Sequence, residues 1–196
     1  MRQHEANIDR MFIERWSPRS FDSEFKMDQN TIDSLLEAAR WSPSCFNEQP
    51  WNFFLARRED EHFEDYLHLL NEKNRKWAKD AALLGFIVAK RSFQKTGEPN
   101  DYARFDCGAA WMALTMQARG RGLHTHGMAG IKHEQIYAYL NLPKEEYDVI
   151  CGFVVGERGQ KEKLPEDLQK MEHMNGRKHS NEFTFYGKYT DKKMKH

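Results

Sequence analysis

Apolar positions along the chain switch between helical and strand spacing. Ile32, Leu35, Leu36 and Ala39 fall on one side of a helix, and Asp28 stands where an N-cap would accept the first free N–H groups. Ahead of it, Ile8, Met11, Phe12 and Arg15 share helical spacing within residues 7–16, until Pro18 ends the pattern. Residues 51–56 are aromatic and aliphatic enough for a strand, and 59–70 turn Phe63, Tyr66, Leu67 and Leu70 inward on an amphipathic helix. Residues 71–79 read as too polar for the core. The apolar run 81–89 fits a buried strand or a buried helix, and periodicity does not separate the two.

A turn-rich connector at 95–100 leads into a helix over 101–119, with a stripe at Tyr102, Phe105, Ala109, Met112, Ala113 and Met116. Between Cys107 and Met116 this helix is apolar on nearly all sides, as expected of one buried inside a domain or against a second subunit. Glycines 120 and 122 end it, 122–130 reads as a loop, 134–140 as a short helix and 149–155 as a strong strand. Residues 165–195 are polar, and the aromatics Phe183, Phe185, Tyr186 and Tyr189 are expected to dock on their own domain or on a partner chain.

Candidate chemistry gathers where this pattern breaks. In the stretch 41–53, Pro43 stops the preceding helix and Pro50 fixes the start of the strand. Between them Ser44, Asn47 and Gln49 offer hydrogen bonds, while Phe46 and Trp51 offer flat apolar surface. That mixture suits a planar heteroaromatic ligand with polar edges; a well-capped surface loop is the alternative. Arg15, Ser17, Arg19 and Ser20 lie within six residues and could grip a phosphate, since guanidinium forks match phosphate oxygens; plain surface charge is the alternative. Gly127, Ala129 and Gly130 would let backbone N–H groups approach a ligand closely. His124 and His126 have no carboxylate or cysteine at a supporting spacing, so no metal site is expected.

Composition narrows the classes. A chain of 196 residues is expected to form one domain, 1–196, with a core of its own. Lys plus Arg and Asp plus Glu both number 30, so no overall field draws it to nucleic acid or an anionic membrane. Cys45, Cys107 and Cys151 are scattered and unpaired in pattern, as in a reducing compartment. The first ten residues lack the apolar stretch of a secretory signal, and no apolar run approaches the roughly 20 residues of a membrane span. The expected setting is cytoplasmic.

Four segments taken together resemble the nitroreductase family of FMN-dependent NAD(P)H oxidoreductases. They are the run from Arg15 to Phe21, the run from Pro43 to Trp51, the glycine-bearing 122–130 and the basic pair Arg177 and Lys178. The resemblance implies an α+β fold, a mixed sheet flanked by helices, in an interlocked homodimer with two FMN sites at the interface. It implies that Arg15, Trp16, Ser17 and Arg19 hold the FMN phosphate and ribityl chain, joined by Arg177 and Lys178. Pro43, Ser44, Cys45, Phe46, Asn47 and Gln49 would line the isoalloxazine from the partner subunit. The backbone of Gly127, Met128, Ala129 and Gly130 would lie against the ring, with an N–H near N5. The implied activity is ping-pong transfer from NADH or NADPH to nitroaromatic, quinone or enone-like acceptors, with no side-chain nucleophile and hence no catalytic residue to name. A specialised reductive branch of the same fold, a flavin carrier or sensor without turnover, and a non-flavin interaction module are the other readings. The chain departs from the family pattern in three places. Trp16 stands where many members carry a second arginine, His124 and His126 replace small or aromatic residues, and His179 lies where a proline often follows the basic pair.

Overall fold

Alternation decides the ambiguous apolar run. In the computed structural model, which describes residues 2–188, it is a strand, β2 (Leu83–Lys90). Leu84, Phe86 and Val88 enter one apolar cluster, and Leu83, Ile87 and Ala89 enter another on the opposite face. A strand covered on both faces shows no polar alternation, which is why its sequence was silent. Around it stand β1 (Trp51–Arg57), β3 (His124–Met128) and β4 (Tyr147–Gly156), in the spatial order β1-β2-β4-β3.

The fold is α+β, and among the described residues every strand pairing is antiparallel rather than mixed. Connection length accounts for this. The helices between neighbouring strands are short: α3 (Phe63–His68) and α4 (Glu72–Ala78) between β1 and β2, and α6 (His133–Tyr139) between β3 and β4. Seven helical residues rise only about 10 Å, too little to carry the chain back along a ten-residue strand, so the next strand starts at the near end. Only α5 (Ala103–Gly120), roughly 27 Å long, makes that return, and it joins β2 to the non-adjacent β3.

On one face α2 (Gln29–Arg40) packs with α5, burying Ile32, Leu35 and Ala39 against Cys107, Ala110 and Leu114. Asp28 caps α2 as expected, its carboxylate accepting the Thr31 N–H at 2.8 Å. The other face is covered by α3, α4, α6 and the short α7 (Glu166–Gln169). The helix expected over 7–16 shrinks to α1 (Arg10–Glu14), which lies against α5. No helix among the described residues is long and apolar enough to cross a membrane.

Two expectations are corrected. Residues 71–79 do reach the core: Trp77 on α4 is 1% exposed, set between Phe21 and the His126 ring. One large ring in an otherwise charged helix leaves too weak a stripe to read. The α5 stripe is inverted. Its buried face is Ala103, Cys107, Ala110, Leu114 and Ala118, whereas Phe105 is 79% exposed and Tyr102 and Met112 are also exposed. Small residues let the helix lie close on the sheet, so its large apolar side chains stand on the outside. Phe183, Phe185 and Tyr186 are exposed as well; Tyr189 and the basic stretch 192–195 lie outside the described residues.

Candidate functional site

The run after α1 alternates in burial. Trp16, Pro18 and Ser20 are buried, which turns Arg15, Ser17 and Arg19 to the other side. There they line a cavity of about 210 Å³ together with Arg177, which arrives from the far end of the chain. Arg2, His126, His173 and Asn175 add to its polar wall. Trp16, in place of a further arginine, packs under the Arg158 guanidinium at 5.2 Å and gives the cavity a stiff floor.

Glu172 fixes this run. It is 4% exposed, and its carboxylate accepts the Arg19 N–H at 2.9 and 3.1 Å and the Ser20 N–H at 3.1 Å. The negative charge is directed at backbone, leaving the arginine heads free. Arg2 donates to the carbonyls of Ile13 and Arg15 at 2.8 and 2.7 Å, closing the C-terminal end of α1. Glu5 accepts from the Ser180 N–H at 3.0 Å, from the Ser180 hydroxyl at 2.7 Å and from His179, and these bonds hold its carboxyl at about 2. This clasp joins the two end segments of the chain and keeps Arg177 beside Arg2.

The cavity is electrostatically unfinished. Arg2, Arg15, Arg19 and Arg177 line it, and among the described residues no carboxylate does. Burial, then the charges of Arg177 and Arg2, lower the Arg15 pKa from its ordinary value; burial and Arg177 do the same to Arg2. Like charges gathered in this way could seat a polyanionic group such as a phosphate ester.

The strand β3 brings more residues to this seat. Residues 122–130 were expected as a loop, but five of them pair with β4, and the His126 Nδ1–H donates to the Pro18 carbonyl at 2.8 Å. Beyond His126, Gly127 and Ala129 are exposed, so their backbone is open to a ligand lying along the strand. The Met128 side chain is core. Gly130 is small for another reason: a Cβ there would lie 2.2 Å from the Asn71 amide, whose residue caps α4 and whose N–H bonds the Gly130 carbonyl at 3.0 Å. His124 and His126 both have pKa values lowered to about 4, chiefly by burial and then, net of the Pro18 bond at His126, by nearby arginines. Both are neutral at neutral pH.

The stretch 43–49 stands apart from the cavity. It forms a tight turn at Cys45–Asn47, and Phe46, Asn47 and Gln49 all adopt left-handed backbone, with φ of 51°, 59° and 53°. Such conformations cost non-glycine residues of order 1–3 kcal/mol each and persist where the surroundings enforce them. Here the Cys45 N–H donates to buried Asp106 at 3.1 Å, and Glu48 accepts the Gln94 N–H at 2.6 Å. The Ser44 hydroxyl accepts the Gln49 N–H and the Gln49 amide donates to the Asn47 carbonyl, both at 3.0 Å, so part of the expected ligand-binding polarity holds the turn itself. The result is a rigid platform that exposes Pro43, Asn47 and Phe46, the last 89% exposed.

Within one chain the platform and the seat occupy opposite ends of α5. The platform is tied to Asp106, and the seat adjoins Arg119, whose guanidinium bonds Glu14 at 2.8 Å. Those residues lie roughly 20 Å apart along the helix axis. Lys178 is exposed and does not line the cavity. Arg2, Glu172 and His126 were not singled out as binding residues from the sequence. The only cue available was histidine where small residues are usual, since the contacts of Arg2 and Glu172 are not local.

The class the structure defines is an α+β protein, an antiparallel sheet flanked by helices with an arginine-lined cavity beside its edge strand. The model of the nitroreductase family matches residues 13–84 and 67–157, and the chain belongs to that family. It is similar to a solved oxidoreductase described as containing FMN, at 37% identity over 97% of both chains with a TM-score of 0.92. A putative nitroreductase in complex with FMN from Exiguobacterium sibiricum shares the fold at 18% identity, covering 95% of this chain and all of that one, with a TM-score of 0.75. An oxygen-insensitive NADPH nitroreductase of Helicobacter pylori is 38% identical over 47 residues, 24% of this chain and 22% of that protein's length.

Proposed function

We propose that the protein is a single-domain, FMN-dependent oxidoreductase that takes electrons from NADH or NADPH and delivers them, in alternating half-reactions, to nitroaromatic, quinone or enone-like acceptors. The observation that carries this reading is the four-arginine cavity, with no carboxylate in its lining among the described residues, opening beside exposed β3 backbone. Arg15, Arg19, Arg177 and Ser17 would hold the phosphate end, Lys178 extending the basic rim. Residues 127–130 would lie along the ring and offer it a backbone N–H. Bound FMN would supply the two-electron chemistry, so the chain's own side chains need only bind, orient and leave one ring face open.

The platform reaches this site in our reading from a second copy. The exposed apolar face of α5, Tyr102, Phe105 and Met112, would pair with its two-fold mate, antiparallel. That arrangement sets the Asp106 end of one helix beside the Arg119 end of the other, and so the 43–49 platform of one subunit over the seat of its neighbour. Phe46 and Trp41, exposed in the single chain, would then be covered. The three free cysteines and the nicotinamide donor suit the cytoplasm.

Purified protein is expected to be yellow, to bleach on anaerobic addition of NADH or NADPH and to regain colour with a quinone or nitroarene. Flavin binding without bleaching would replace the enzyme by a carrier. Phe105→Asp is expected to yield monomers on sizing and to release FMN; a monomer that retains FMN would refute the shared site.

A further inference from the structure

Beside its arginines the cavity is lined by groups that can accept a hydrogen bond: the Ser17 hydroxyl, the Asn175 amide and the rings of His173 and His126; of these, only His126 lies on the central sheet among the described residues. His126 Nδ1 lies 2.8 Å from the Pro18 carbonyl, and a carbonyl oxygen only accepts, so the proton of the neutral ring sits on Nδ1. Nε2 therefore presents a lone pair. Among the described residues no donor bonds to it, and it is not one of the fully buried polar atoms without a partner. The ring is clamped against the buried Trp77 indole, with centroids 4.6 Å apart, so the direction of that lone pair is fixed. The ring lines the same cavity as the four arginines.

A bare polyanion would satisfy the arginines and leave this acceptor facing negative charge. A phosphate ester of a polyol satisfies both, because it offers acceptor oxygens to the arginines and a hydroxyl proton to the imidazole. We propose that His126 Nε2 accepts a hydrogen bond from the ligand hydroxyl next to the phosphate, and that this bond selects the ribityl phosphate of FMN. The phosphate of FMN is esterified at C5′, so the hydroxyl next to it is the one on C4′, and a cavity of about 210 Å³ has room for the phosphate and these carbons. The proposal rests on the FMN reading above and assigns His126 a specificity role within it. The imidazole gains and loses no proton here.

The test separates this acceptor from the structural Nδ1 bond. His126→Asn keeps an N–H where Nδ1 is and removes the acceptor; His126→Gln places an acceptor near the Nε2 position. The 196-residue chain is freed of any bound flavin and titrated with FMN and with 4′-deoxy-FMN, following flavin fluorescence. The expected result is a roughly 10-fold weaker FMN affinity for His126→Asn, restored by His126→Gln, with 4′-deoxy-FMN bound equally by wild type and His126→Asn. In the 15N spectrum the His126 Nε2 resonance should move upfield with FMN and stay in place with 4′-deoxy-FMN. Equal losses of both flavins in His126→Asn would make the residue structural and overturn the proposal, as would unchanged affinity for both. Binding of both flavins by wild type in either of those cases leaves the FMN reading intact. Failure of wild type to take up either flavin overturns that reading, and this proposal with it.

Discussion

Removing Arg177 should push binding and stability in opposite directions. Its guanidinium contributes to the lowered pKa of both Arg15 and Arg2, while its hydrogen bond reaches only the carbonyl of neighbouring Gly176 at 2.7 Å. The ligand-free protein therefore loses little in Arg177→Ala and is relieved of like-charge repulsion at a solvent-exposed site. That relief is about 0.5 kcal/mol, equivalent to a rise of roughly 1–2 °C in Tm for a chain of this length. The phosphate end of the ligand loses a charge-assisted hydrogen bond of about 1.5–3 kcal/mol, so FMN affinity should fall roughly 10- to 100-fold. Thermal unfolding of the ligand-free protein and fluorescence titration with FMN, at low and at high salt, measure the two arms. Added salt should shrink both effects, because exposed charges are screened. A variant with lowered ligand-free Tm and unaltered FMN affinity would show that Arg177 is a structural residue and that the cavity is no phosphate seat.

Glu172→Ala strands two backbone N–H groups and should cost about 2–4 kcal/mol in urea unfolding while loosening FMN; Glu172→Gln, which retains one acceptor oxygen, should fall between. The lowered pKa values of His124 and His126 mean that the unfolded chain takes up protons near pH 6.5 and the folded one only near 4. Stability of the ligand-free protein is thus complete above pH 6.5 and declines as pH falls toward 4, with His126 alone accounting for about 2.5 kcal/mol by pH 4.5. Urea midpoints at pH 7 and 4.5 should differ accordingly, and less so in His126→Asn. Gly85→Ala would set a Cβ 2.7 Å from the Phe153 ring and 2.8 Å from Leu55, an overpacking cost of about 1–3 kcal/mol; an unchanged denaturation midpoint would mean that the ring swings aside.

What the sequence made legible was what depends on near neighbours. Asp28 as a cap, the inward face of Phe63, Tyr66, Leu67 and Leu70, and the spacing of Arg15, Ser17 and Arg19 are all set within a few residues. Trp77 and the true inner face of α5 were missed because burial there follows from shape: a lone indole fills a gap, and small residues admit the sheet. Glu172 bonds residues more than 150 positions away, and a carboxylate in a polar tail carries no local sign of that. The basic pair was read as a unit, yet only Arg177 lines the cavity, since neighbouring residues in an irregular segment point apart.

The Glu5 clasp and the Glu172 bonds have a consequence for biosynthesis. Both draw on residues from 172 onward to finish a cavity whose other half is made near residue 15. The seat cannot be assembled before residues 172–180 have been made, however early the central sheet forms. Ligand capture must wait for that segment, and chains truncated before residue 180 should fold a sheet that stays colourless.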